Sequence, residues 1–155
     1  MAVTDTTAVP LARLMGMAFR QLIDDLHIRL KAQGWHDVRP SYGFVLLAIR
    51  DQDTTTTELA RLLGVTKQAT SKLLDAMEHG RYVERRSGIG DGRSKAVALA
   101  ERGHELLAAV EAIYAELESE WADVIGTTAL EQTRTRVERV LRARHGGQLP
   151  RLRPA

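Results

Sequence analysis

The sequence predicts a mainly α-helical single domain with one small two-stranded β ribbon, and three observations carry that prediction. Apolar residues recur at spacings of three and four near both ends of the chain, a helix, tight turn and helix are written over residues 57–79, and two short β-like runs follow, joined by a glycine-rich link. The 155 residues suit one domain, and a hydrophobic share of 44% with 27% charged residues is the balance of a chain that buries a real core.

The elements follow in order. Leu11, Met15, Ala18, Leu22, Leu26 and Leu30 lie on one stripe of a long first helix that Gly34 ends. Pro40-Ser41 opens a short, core-like second helix carrying Val45, Leu46 and Ile49, which Asp51-Gln52-Asp53 stops. Next, Leu59, Leu62 and Leu63 give a helix an inward face, Gly64 supplies the left-handed backbone of a sharp turn, and the Thr66 hydroxyl caps a further helix that Gly80 ends. Tyr82–Arg86 and Lys95–Leu99 form the ribbon. Leu106, Val110, Ile113, Leu117, Trp121 and Val124 stripe a helix too long for a small domain to cover, and Thr128 with Glu131 reads as a capping box opening a last helix with Leu130, Val137 and Leu141. Striped helices at both termini predict an interface between two chains.

Composition excludes several function classes. With no cysteine there is no disulfide framework, thiolate metal site or thiol switch. The longest apolar run, Phe44–Ile49, is far below the ~20 residues of a membrane span, and the first residues lack the basic and apolar regions of a secretory signal, so the cytoplasm is expected. The histidines at 27, 36, 79, 104 and 145 never stand four apart, so no metal is expected. No nucleophile context, dinucleotide loop or carboxylate pair predicts catalysis or a cofactor.

Net charge is only +2, so distribution matters more than the total. Residues 54–102 hold nine basic and six acidic side chains; residues 103–133 hold seven acids and no Lys or Arg; residues 134–155 hold seven Arg and one Glu. At 100° per residue, Ala69, Thr70, Leu73, Leu74, Ala76 and Met77 share the inward half of the helix over 67–79, leaving Lys67, Gln68, Ser71, Lys72 and Asp75 outward. That outward half starts at a helix N-terminus, where backbone N–H groups favour phosphate and Lys, Gln and Ser can bond phosphates or base edges. Arg85 and Arg86 stand at the base of the ribbon and Arg93 and Lys95 on its return side, where Arg93 can enter a minor groove. The glycine link lacks the Gly-Lys-Ser/Thr ending of a phosphate loop.

Leu59-Ala60-Arg61-Leu62-Leu63-Gly64-Val65-Thr66-Lys67, Val83-Glu84-Arg85-Arg86 and Asp91-Gly92-Arg93-Ser94-Lys95, followed by Val97, Leu99 and Gly103, resemble the MarR-type winged helix-turn-helix transcriptional regulators. The resemblance implies that Arg93 is the wing residue at the minor groove, with Asp91 orienting it, and that Thr66, Lys67, Gln68, Ser71 and Lys72 belong to the major-groove element. It implies a homodimer formed through the terminal helices (8–34 and 101–145) and a DNA-binding lobe over 36–100, and the composition of residues 146–155 predicts a basic, flexible tail. Gly88-Ile89-Gly90 replaces the family's usual acidic and proline residues, and Ala100 stands where a capping Thr is usual. The expected function is a dimeric repressor on palindromic double-stranded DNA, released by an aromatic or amphipathic ligand for which Phe19, Trp35, His36, Tyr42 and Phe44 are the candidate lining. The alternative is a helical protein-interaction module that binds no DNA.

Overall fold

The computed structural model describes residues 8–87 and 95–154. Among these described residues, six helices and three short strands run in the order α1 (Leu11–Ala32), α2 (Pro40–Ile49), β1 (Thr54–Thr55), α3 (Thr56–Leu63), α4 (Lys67–His79), β2 (Val83–Arg86), β3 (Ala96–Leu99), α5 (Glu101–Ile125) and α6 (Thr127–Arg144). Pro40 takes the first position of α2, where its missing N–H leaves no bond unmade. Inside α2 the chain is apolar enough to bury Tyr42, Val45, Leu46 and Ile49 together. These residues join Leu26 and Leu30 of α1, Leu59 and Leu63 of α3, Leu74 and Met77 of α4, and Leu106 and Ile113 of α5 in one continuous core.

The sheet has three strands where the sequence predicts two. Its order is β1-β3-β2, all antiparallel, with Thr54 opposite Val97 and Val83 opposite Leu99. Two residues carry no alternation, so β1 leaves no periodic mark; it exists because β3 offers its second edge to the Thr54-Thr55 backbone. Thr55 then caps α3, its hydroxyl accepting from the Glu58 N–H at 3.1 Å. β3 is the central strand, and Val97, Ala98 and Leu99 are all buried.

The helical ends extend beyond the core. The stripe on α1 is buried at Leu26 and Leu30 but open to solvent at Leu11 and Met15, and that on α5 passes from buried Ile113 and Leu117 to Trp121 and Val124, which is 84% exposed. No residue of α6 is buried. The expected capping box does not form. α6 starts at Thr127 with Gly126 as its N-cap, which puts Thr128 two positions too far into the helix to cap it, and Glu131 pairs with Arg134 at 3.3 Å. Ala100 precedes α5 with no side-chain cap, as the departure at that position implies.

Candidate nucleic-acid interface

The α3-turn-α4 unit is built from local rules. Leu59, Leu62 and Leu63 are buried. Gly64, at φ +71°, donates to the Ala60 and Arg61 carbonyls and Val65 donates to Ala60, so the turn ties off the end of α3. Thr66 is extended, and its hydroxyl accepts from the Ala69 N–H at 3.1 Å; the buried Thr70 hydroxyl donates back to the Thr66 carbonyl at 2.9 Å. α4 therefore begins at a fixed point, with its uncapped N–H groups and the positive end of its dipole at the surface.

Along α4, Lys67, Gln68 and Lys72 are exposed as expected, and Ser71 is half-buried. Ala69 departs from its predicted inward place and is exposed. The buried line runs through Thr70, Leu74 and Met77, and Ala69 lies about 100° from that line, outside the arc the core covers. A small side chain between Gln68 and Lys72 lets a partner approach the backbone closely.

The two arginines at the ribbon's base have other occupations. Arg85 is only 22% exposed at its side chain, and its guanidinium donates to Asp75 at 2.8 Å and to the Ser71 carbonyl at 3.5 Å. It clamps β2 onto the side of α4. Arg86 is bonded to Glu84 and lies 3.8 Å from Asp53, so carboxylates flank it on two sides. Lys95 is exposed just before β3. Asp91 and Arg93 lie outside the described residues.

A cleft between the helical base and the lobe, about 390 Å³ in volume, is lined by Phe19, Leu22, Ile23 and Leu26 of α1, Phe44 and Leu47 of α2, and Val110 and Tyr114 of α5. Of the five candidate ligand residues, the structure brings Phe19 and Phe44 there and not the others. Tyr42 is a core residue, edge-on to Tyr82 at 5.5 Å, Trp35 packs on Tyr82 at 6.3 Å, and His36 is exposed. The leucines of the cleft share the stripes that build the core, so no residue type marked them out in the sequence. His27 also lines the cleft, and burial holds its imidazole below the ordinary value against the pull of Asp24.

A polar knot unforeseen in the sequence fixes the lobe to the base. The Tyr82 hydroxyl donates to Asp37 at 2.6 Å, and Arg102 donates to the Gly80 carbonyl at 2.6 Å while stacking 4.5 Å above the Tyr82 ring. Burial and the Asp37 carboxylate push the Tyr82 phenol well up. Burial opposes ionisation of Asp37, but the Tyr82 hydroxyl and Arg102 outweigh it and hold that carboxyl below its ordinary value. Asp37 and Tyr82 are 45 residues apart and Arg102 and Gly80 are 22 apart, so no local pattern announces the contacts.

A capped helix-turn-helix followed by a β-hairpin, resting on long helices from both termini, is a winged helix-turn-helix protein. Residues 36–94 match the model of the MarR family. The fold is similar to wild-type MarR (apo form) from E. coli, with a TM-score of 0.73 and 23% identity over 88% of this chain and 99% of that one. It is also similar to a MepR variant from S. aureus bound to an oligodeoxyribonucleotide, with a TM-score of 0.63 and 20% identity over 88% of this chain and 99% of that one. Exopolysaccharide II synthesis transcriptional activator ExpG of Rhizobium meliloti is 31% identical over 102 residues, which is 66% of this chain and 53% of that protein; the chain thus spans about half the length of that relative. Residues 36–94 of this chain thus match the MarR family, and its fold is the winged helix-turn-helix fold of the MarR structures.

Proposed function

We propose that the protein is a homodimeric, sequence-specific double-stranded DNA-binding regulator that works in the cytoplasm and occludes promoter DNA, with no catalytic step of its own. The observation that carries this reading is the capped N-terminus of α4 with Lys67, Gln68 and Lys72 exposed beside it. Lys67 and Lys72 meet phosphates, Gln68 reads base edges and Ser71 supports them at the groove wall. Arg93 of the wing, oriented by Asp91, enters the neighbouring minor groove, and Lys95 contacts the backbone beside it.

Open apolar side chains on α1, α5 and α6 support the dimer, because Leu11, Leu14, Trp121, Val124 and Val140 all stand exposed on helices that extend beyond the core. A two-fold dimer presents two α4 helices to a palindrome with half-sites ~34–36 Å apart. ExpG is named an activator; for this chain, the position of the site relative to the promoter decides whether binding blocks or assists transcription. The cleft behind the lobe supports a role for an apolar or amphipathic effector contacting Phe19 and Phe44.

The test is a gel-shift titration on the DNA upstream of its own gene at two salt concentrations. Binding should weaken steeply with salt, Arg93→Ala should weaken it on every sequence, and Gln68→Ala should shift preference among sequences. Equal loss on all sequences for both variants contradicts the assigned roles. No binding at low salt, on that DNA or on a random pool, leaves the protein-interaction module as the reading.

A further inference from the structure

The chain does not stop at α6. Gly146 and Gly147 both adopt left-handed backbone, at φ +61° and +86°, a conformation open to glycine at little cost. The Gly147 N–H donates to the Arg142 carbonyl at 2.8 Å, and the Arg142 guanidinium donates to the Gly147 carbonyl at 3.0 Å. This pinned reversal sends the last residues back over the molecule, and Pro150 and Pro154 favour an extended course. Leu149 lies in the groove formed by Leu22, Trp121, Leu130 and Leu141. Leu152 reaches the inter-lobe cleft and also touches the hollow of Phe44, Leu47, Leu62 and Leu63 beside it. The Arg153 side chain runs past Gly64 in the turn of the helix-turn-helix, within 3.8 Å of where a Cβ would stand.

One extended segment, rooted on α6, thus touches the base, the cleft and the reading unit. Leu152 is still 57% exposed, so it covers the mouth of the cleft without plugging it.

We propose that Gln148–Pro154 is an intramolecular strap, which closes the mouth of the inter-lobe cleft with Leu152 and is lifted when an apolar ligand enters. The ligand clause rests on the effector reading of the cleft; the strap does not depend on what α4 binds, so its test needs no DNA. Anilinonaphthalene sulfonate serves as the apolar probe. A chain ending at Gly147 should bind it at least about threefold more tightly than the full chain, and Leu152→Ala should move in the same direction. Because the sequence has no cysteine, Arg153→Cys accepts a single nitroxide label, which should broaden the amide signals of Gly64 and Val65. Probe affinity unchanged in both variants, or Gly64 and Val65 signals left sharp beside the label, overturns the proposal; the label experiment decides it even if the shortened chain fails to fold.

Discussion

Arg85 and Lys72 show how far one side chain's role depends on its neighbours. Both are basic, both lie at or beside α4, and the sequence offers both as DNA contacts. Asp75 and the Ser71 carbonyl hold Arg85 against α4, whereas Lys72 stands in the open. Lys72→Ala should lower the slope of log affinity against log salt by about 1 and leave stability unchanged within about 0.5 kcal/mol. Arg85→Ala should leave that slope unchanged and lower stability by about 1 kcal/mol in urea unfolding. Sequence gave no warning, because Asp75 lies ten residues away and only the packing of β2 beside α4 brings it near. Gly103 is the opposite case, a residue without chemistry whose place is fixed by space. A Cβ there would stand 2.1 Å from the Tyr82 carbonyl oxygen. Gly103→Ala should therefore cost about 3 kcal/mol by thermal or urea unfolding, since the obstacle is backbone and cannot rotate away.

At the scale of elements, the best-read parts are those whose cause is local. The start of α4 depends on Thr66 and the end of α3 on Gly64, both within four residues of their partners, and the structure has them where the sequence does. Thr66→Ala should lower stability by about 1 kcal/mol, while Thr66→Ser should restore most of it, as measured by urea midpoints. The parts misread are those decided by distant backbone. β1 exists because β3 has a spare edge, and the Thr128-Glu131 pattern has no capping role because α6 begins two residues early. Ala69 was misplaced because a 180° division of the helix is wider than the arc the core covers. The long stripes on α1 and α5 were legible as apolar faces, yet nothing in their spacing told buried Leu30 from open Leu11.

For the whole molecule, that difference along the stripes is the chief prediction. Light scattering should give about twice the 17.2 kDa chain mass. Val124→Glu, on the open end of α5, should shift the population toward single chains and weaken binding to a two-half-site DNA by more than tenfold, while binding to one half-site changes little. A wild-type mass of one chain would sink the dimer. The lobe below those helices has a mechanical property of its own. Thr55 is at once the end of a strand paired to β3 and the cap on the first turn of α3. Arg85 fastens β2 to α4 in the same way. β2 and β3 therefore cannot swing without dragging α3 and α4, and the sheet and the two helices move together as one rigid plate.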